Sequence, residues 1–566
     1  MIMANNNDKS NETVILILGC ERVVAKRDKL SKYSLYFSSL FSENFSDHRQ
    51  NEYQINYNIS PITLKNFVNW TEQAETNENK KQGVYPVEPC LKKFMNINDE
   101  NPLELLELSV VYMCEKLIND LTSIIILHWL YSDKIIDIWI LAQELNLEKL
   151  KDISFAACLE RFEELPFSSL AQLPLERLIE LVDNVNGNCS KTWLRFIANE
   201  GIRNYTSTPD HDPSHHIYRR LFQIVNTLTT CPMEKKNNPK HISCIAAYKI
   251  TDVGKKIPCV YMWNDGFKEL IDLTDIVNLM DDGKDVVGRQ IIGRGFSIYV
   301  VGGEQGFGSG RFVKTIWRYC LLSKTWFSVS ELPRARRHMV VQFIKNKLYV
   351  IGGVGQHRVK LSTVDVLDIY TGVWSKAAEI PEMFTDVPAS CVAHGKIFYY
   401  KTNLYIYEPS KNCWNTLICN GVTLHSLLWQ DDKSCSNNNF IHGVVIKDTR
   451  DLLISFPYKV DEENEFIFLY TPIVEKSRNL QLVSIQTIFN GTNLIEFSYD
   501  TIKKQVSIEI RSCDNSSDYP VTGYHKFTKN NLHEIGFQNR IGCFNIIDPT
   551  TLYKKSFFSD WERISV

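Results

Sequence analysis

A repeat constrains this chain more than any other feature. Ile298-Tyr299-Val300-Val301-Gly302-Gly303 returns as Leu348-Tyr349-Val350-Ile351-Gly352-Gly353, a shift of 50 positions. Trp326 and Trp374 follow the two glycine pairs at similar distances, and Leu332-Pro333 is matched by Ile380-Pro381. A weaker third copy runs through Lys396-Ile397-Phe398-Tyr399-Tyr400, Tyr405-Ile406-Tyr407 and Trp414. Each copy reads as an apolar strand, two glycines, a variable loop, another strand and a tryptophan, which is the content of one four-stranded blade. A single blade cannot bury both faces, whereas a ring of blades can, so the repeat predicts a β-propeller. Gly302, Gly303, Gly352 and Gly353 then sit where blades crowd together, because a missing Cβ lets another backbone approach. Trp326, Trp374 and Trp414 are expected to fill the wedges between blades, each burying on the order of 200 Å².

The repeat occupies only part of the chain. At 566 residues the sequence exceeds one core, and its texture changes along its length. Residues 13–130 mix short strands with helices, 132–225 read as helices, and 243–566 read as short strands with turn signals. In the middle region Ile135, Trp139, Ala142, Leu145 and Leu150 recur at helical spacing. Leu173-Pro174 marks a break before a helix carrying Leu178 and Leu181, and Trp193, Phe196 and Ile197 supply a further apolar stripe. Beyond residue 420 the glycine pairs vanish, but strand-like runs continue at 440–446, 452–456, 466–470 and 506–510, and 541–547 is expected to close the ring. Residues 71–101 are a long polar connection, 206–216 a loop and 226–242 a hydrophilic linker.

Composition excludes several classes. Apolar residues make up 44% and charged residues 23%, and the net charge is −3, which argues against a nucleic-acid binder driven by its overall field. The longest apolar segment, 121–131, is shorter than the about 20 residues that a bilayer span needs, and no secretory signal opens the chain. The 15 cysteines form no C-x-x-C pair, as expected of reduced thiols in a cytoplasmic protein. No metal-hydrolase, P-loop or nucleophile-elbow motif appears, so no catalytic residue and no cofactor is expected. The glycine-rich stretch Gly303–Gly310 reads as a mobile loop between strands. His211, Asp212, His215 and His216 have ligand-type chemistry, but Pro213 breaks their spacing, and an exposed loop is the expectation.

The strongest functional signal is a positive cluster in the loops of the repeat. Arg334, Arg336, Arg337 and His338 lie between two copies. Gln356, His357, Arg358 and Lys360 follow the second glycine pair, and Phe307 and Arg311 follow the first. Arginine forks there suit a carboxylate-bearing segment, with Phe307 adding apolar contact. The structural alternative is solvated charge and blade-to-blade hydrogen bonding, above all for Arg336.

Over residues 291–416 the chain resembles kelch repeats, and the order of its regions is similar to that of the BTB–BACK–kelch family, of which it resembles a divergent member. Leu30, Ser34, Tyr36, Phe37, Leu40 and Phe41 match the BTB pattern after the hairpin of Val14 and Val23. Asn146-Leu147, Leu173-Pro174-Leu175 and Arg195-Phe196-Ile197 match the BACK pattern. The resemblance implies a multidomain chain of α+β and all-β parts: a BTB/POZ-like α/β domain over 10–131, an all-helical BACK domain over 132–225, a linker over 226–242 and a six-bladed kelch β-propeller over 243–566. It also implies a function, that of a non-catalytic substrate-recognition adaptor of a cullin–RING ubiquitin ligase. Phe45 and Asp47 would contact a cullin-3-type scaffold, and an unknown protein target would dock on Phe307, Arg311, Arg334, Arg336, Arg337, Gln356, His357 and Arg358.

The sequence departs from the family in several places. Lys26 stands where a histidine is usual, Asp47 replaces the glutamate of the cullin-binding triplet, and the helix that precedes the family's first strand is not evident, which leaves homodimerisation open. These departures keep a second class in view, a scaffold binding actin or another cytoskeletal partner without a ligase role. An enzyme built on the propeller is the third class, and no metal or Cys–Tyr cofactor signature supports it. Neither nucleic acid nor a membrane is expected as a partner.

Overall fold

A computed structural model of the chain describes residues 13–45, 48, 50–74, 102–207, 215–230, 239–250, 256–264, 269–276, 286–418 and 543–556, together with a series of strands between 426 and 533. The chain forms two compact units, residues 1–237 with 553–566, and residues 238–552. The polar connection beyond Ala74, His211, Asp212 and Asp47 lie outside the described residues.

The first unit begins with an antiparallel hairpin, Thr13–Leu18 against Glu21–Lys26, and Gly19 supplies the left-handed backbone of its turn at φ +59°. Val14, Leu16, Val23 and Ala25 are buried between more exposed neighbours, the alternation of a half-buried sheet. Strand Glu52–Gln54 runs parallel to Thr13–Leu18 on its other edge. Helix Pro61–Gln73 starts where Ser60 and Pro61 predict. The Ser60 hydroxyl accepts a 3.3 Å bond from the Thr63 N–H, and Pro61 occupies a first-turn position that needs no donor. Its inner face buries Leu64, Phe67 and Trp70. Phe37 from helix Leu35–Leu40 and Tyr112 complete that core, with ring centroids 4.8 Å apart.

The middle of the chain is helical, as the periodicity predicts. Ile135–Glu144 packs on Glu148–Glu160, and Trp139 stacks on Phe155 at 5.1 Å. Helix Leu175–Val182 begins directly after Pro174. In helix Lys191–Thr206 the buried stripe is Leu194, Ile197, Ala198 and Gly201, while Phe196 is exposed. The expected stripe of Trp193, Phe196 and Ile197 is therefore only partly inside. The largest apolar residues draw attention in the sequence, but the i, i+3, i+4, i+7 set decides which face is buried. Helix His216–Thr230 extends into the expected linker. These strands and helices are compatible with the BTB-like and BACK-like expectation.

The second unit is built from consecutive antiparallel sheets of mostly four strands, which fits a propeller. Residues 290–331 contribute Gln290–Arg294, Ser297–Val301, Thr315–Cys320 and Thr325–Glu331. Residues 340–377 and 389–417 repeat the pattern, each strand paired with the next. Strands also occupy the glycine-poor region, among them Asn439–Lys447, Arg450–Val460, Ser484–Asn490, Asn493–Asp500 and Gln505–Ser512. Strand Cys543–Ile547 pairs with His241–Ile250, so the last strand of the unit joins its first sheet. Apolar cores lie between neighbouring sheets: Tyr349, Ile351, Val364 and Val366 of one meet Ile397, Tyr399, Tyr405 and Tyr407 of the next.

The repeat residues take their expected places with one change. Gly302, Gly303, Gly352 and Gly353 all have positive φ, and a Cβ at Gly353 would lie 2.7 Å from the Arg337 carbonyl oxygen. Trp326, Trp374 and Trp414 are half-buried rather than wholly inside. Their polar edges explain part of the exposure. The Trp374 indole N–H donates to Ser330 Oγ of the preceding sheet at 2.9 Å, and Trp414 donates to the Ala378 carbonyl at 2.9 Å. Trp374 and Trp414 therefore each join successive sheets by a hydrogen bond as well as by area.

Candidate docking face on the kelch repeats

Three segments meet at one end of these blades: residues 303–314, 332–339 and 353–363. The Arg337 N–H donates to the Val354 carbonyl at 2.9 Å and Val354 returns the bond at 2.8 Å, while Val354 also bridges to Lys360. The Gly303 N–H donates to the Arg336 carbonyl at 3.0 Å. The Arg337 guanidinium lies over the Phe307 ring, 4.6 Å from its centroid. The structure thus gathers loops that are separate in the sequence.

The arginines divide into two groups. Arg336 is fully buried and ion-pairs with the equally buried Asp365. Its Nη1 also donates to the Gly352 and Thr363 carbonyls at 3.2 and 3.3 Å. Burial pulls this guanidinium below its ordinary pKa, and Asp365 opposes the shift. Arg336 cannot meet an outside partner, because its donors are spent joining the linker to the second glycine pair. This corrects its place in the expected docking set. Arg337 is also buried, with Nε 3.3 Å from Glu304 Oε2. The angle is too poor for a hydrogen bond, so the contact is an ion pair by proximity. Both residues hold the face together from beneath.

Arg311, Arg334, Gln356, His357 and Arg358 are exposed, and Phe307 is 60% exposed. His357 and Arg358 adopt consecutive left-handed conformations, φ +55° and +60°, which non-glycine residues rarely do. That backbone turns Gln356–Arg358 outward as a tight left-handed turn, closed by the Val359 N–H donating to the Gln356 carbonyl at 3.1 Å. The loop before it is not the loose connection its glycines suggest. The buried Glu304 carboxylate accepts from the Gly308 N–H at 3.2 Å and the Gly310 N–H at 2.7 Å, and the Ser309 hydroxyl donates to the Gln305 carbonyl. Glycines without side chains let these amides converge on one carboxylate.

Sequence reasoning missed Glu304 as the residue that organises this loop, and it missed Lys314 and the 55% exposed Val359 as parts of the surface. A lone carboxylate directly before closely spaced glycines was the available signal for Glu304. The resulting face has a definite electrostatic character. Arg311, Lys314, Arg334, Arg358 and Lys360 are exposed in the three segments, whose own carboxylate, Glu304, is buried, while exposed Glu331 and Glu379 flank them, Glu379 accepting from the Ser362 hydroxyl at 2.8 Å.

On the first unit, Phe45 is 50% exposed in the turn after helix Leu35–Leu40. Leu35, Tyr36, Tyr57 and Met113 are exposed as well and cluster around the buried Tyr112. The Leu35 N–H reaches the Met113 carbonyl, which draws the helix start to that patch. Among the described residues no helix is long and apolar enough to cross a membrane. His215 and His216 lie with ring centroids 5.0 Å apart, and no described group of three or more His, Cys, Asp or Glu side chains is placed to hold a metal ion.

Comparison with known proteins agrees with the repeat. The Kelch motif matches residues 297–333 and 335–381. Among similar proteins, one F-box/kelch-repeat protein of Arabidopsis thaliana is 27% identical over 135 residues, covering 23% of this chain and 33% of the relative. A second from the same plant is 30% identical over 144 residues, covering 21% and 30%. Kelch-like protein 35 of Mus musculus is 28% identical over 121 residues, covering 21% of this chain and 20% of the relative. The chain therefore matches about a third or less of the length of each of these relatives. On motif, relatives and sheet topology together, residues 297–333 and 335–381 are kelch repeats.

Proposed function

We propose that this chain is a non-catalytic adaptor of a cullin–RING ubiquitin ligase, in which the kelch face holds a protein target and the first unit holds a cullin-3-type scaffold. The observation that carries the target half is the rim of exposed cations around Phe307, namely Arg311, Lys314, Arg334, Arg358 and Lys360. Such a rim suits an acidic segment that adds an apolar contact to Phe307 and Val359. The apolar patch of Leu35, Tyr36, Tyr57 and Met113, with Phe45 in the following turn, supports the scaffold half. The ligase role itself rests on analogy with the BTB–BACK–kelch arrangement and on relatives whose names join the kelch repeat to a second module. Catalysis would be by proximity, since tethering raises the concentration of target lysines near a recruited ubiquitin donor.

The proposal includes a six-bladed ring and a cytoplasmic location. Support for six blades comes from a circuit of neighbouring strands, one from each sheet. Gln290–Arg294 lies by Val340–Ile344, which lies by Ala389–Ala393, then Ser426–Trp429, then Ser484–Asn490, then Cys543–Ile547, which returns to Gln290–Arg294.

Calorimetry of the intact chain with a cullin-3 amino-terminal domain tests the scaffold half. Micromolar or tighter binding is expected, weakened at least tenfold by Phe45→Ala and by Asp47→Arg. No binding by folded protein, together with cosedimentation on actin filaments, would replace the ligase reading with the cytoskeletal scaffold. For the target half, an acidic peptide should bind the intact chain with an affinity that falls steeply with salt. The double variant Arg334→Glu, Arg358→Glu should lose at least tenfold, and equal binding of a basic peptide would overturn the assignment.

A further inference from the structure

The last described residues of the chain lie in a groove of the helical region that the adaptor function leaves unexplained. Residues 553–556 group with the first unit, although they follow the closing strand Cys543–Ile547 by only a short connection. The Tyr553 ring lies flat on Phe155, with centroids 5.2 Å apart and planes 9° from parallel. Phe155 is backed by Trp139, so the platform is rigid. The Tyr553 hydroxyl donates to the Asp152 carboxylate. Main-chain bonds continue along the segment. The Val185 N–H donates to the Lys554 carbonyl at 3.0 Å, and the Ser556 N–H donates to the Asp183 carbonyl at 2.8 Å. Asn184 and Lys555 pair as an antiparallel bridge between them.

Four features make this a peptide seat. An aromatic anchor combined with strand-like main-chain pairing is a general mode of recognising extended peptides. Burial, then Asp152 and after it Glu148 and Glu180, raises the pKa of the Tyr553 hydroxyl, so it stays a neutral donor to Asp152; Glu148 and Glu180 are themselves paired with Lys151 and Arg177. Lys554 and Lys555 of the occupant are exposed, and the groove holds them by the main chain. The seat also extends past its occupant, as a cavity of about 190 Å³ lined by Phe155, Ile179, Asp183, His216, Arg220 and Tyr553 remains beside the ring. The Asp183 carboxylate that frames it is held by Arg220 Nε and Nη2 at 2.9 and 2.6 Å.

We infer that this groove of the helical region is a docking site for an extended peptide with an aromatic anchor, and that residues 553–556 occupy it as a ligand in cis. The short connection gives the tail an effective concentration of about 1 mM. A groove with an intrinsic Kd of about 10 μM would then stay about 99% filled, and a free peptide would compete poorly. Removing the tail unmasks the groove.

The test uses a fluorescein-labelled peptide of residues 548–556 and anisotropy against three proteins: the intact chain, the chain ended after Leu552, and the full chain with Tyr553→Ala. The truncated chain and the Tyr553→Ala chain should bind the peptide at least tenfold more tightly than the intact chain. A peptide with alanine in place of Tyr553 should not bind, and Asp152→Asn in the truncated chain should weaken binding severalfold. A truncated chain with unchanged helical circular dichroism that fails to bind the peptide would overturn the inference, as would equal binding by the intact chain. If truncation prevents folding, hydrogen exchange in the full-length Tyr553→Ala chain decides. Faster exchange of the Val185 amide, restored by added peptide, supports the seat, and unchanged exchange refutes it.

Discussion

Asp365→Ala is expected to destabilise the kelch unit by about 3–5 kcal/mol, because it leaves the fully buried Arg336 guanidinium without its counter-charge. In thermal unfolding this corresponds to a fall on the order of 10 °C. The cost comes from the orphaned charge and not from a favourable ion pair as such. Replacing both partners, Arg336→Met with Asp365→Leu, should therefore recover most of the loss. The hydrogen bonds from Arg336 to the Gly352 and Thr363 carbonyls set the limit of that recovery, since the double variant leaves both acceptors short of a donor. Chemical denaturation of the three proteins checks the ordering. An Asp365→Ala protein within about 1 kcal/mol of the parent would mean that water reaches this pair and that the blades are not joined here.

The second large effect concerns the glycine pairs. Gly353→Ala combines two penalties: a left-handed φ of +95°, costing about 1–3 kcal/mol, and a Cβ 2.7 Å from the Arg337 carbonyl and 3.0 Å from Met339 backbone atoms, which adds about 1–3 kcal/mol of overpacking. Both contacts are backbone, so no side chain can turn aside to relieve them. Gly306→Ala provides the control. Its φ is +70°, but nothing lies within 4 Å of the added methyl, so only the smaller conformational penalty should appear. Equal losses at the two positions would show that backbone conformation alone, and not close approach between blade and linker, accounts for the paired glycines.

The two substitutions act on one junction from opposite sides. Arg336 donates to the Gly352 carbonyl, and the Arg337 carbonyl closes on Gly353. The exposed cations of the face are carried on the same linkers and loops. A face made of loops can present a fixed pattern of charge only if its backbone is pinned, and here the pins are Arg336, Arg337 and Glu304. Arg334→Glu and Arg358→Glu should consequently alter binding with little change in stability, because both side chains are exposed.

What the sequence determined by itself is what depends on local pattern. The repeat of strand, glycine pair, strand and tryptophan announced the kelch blades, since alternation and positive-φ glycines are written into consecutive residues. Ser60-Pro61 and Leu173-Pro174 marked helix starts for the same reason. The exposed loops of the charged face were legible as a cluster of Phe307, Arg311, Arg334 and Gln356–Arg358. Tertiary structure alone decided which arginines of that cluster face outward. Arg334, Arg336 and Arg337 are near neighbours in the chain, yet only the first is exposed, because burial of the others depends on Asp365, Glu304 and the approach of Gly352 from distant positions. It alone showed that Glu304 draws the glycine loop closed, and that Tyr553 rests on Phe155, about 400 residues earlier in the chain. Contacts of that range leave no periodic trace in a sequence, because they are set by how the whole chain packs and not by the preferences of neighbouring residues.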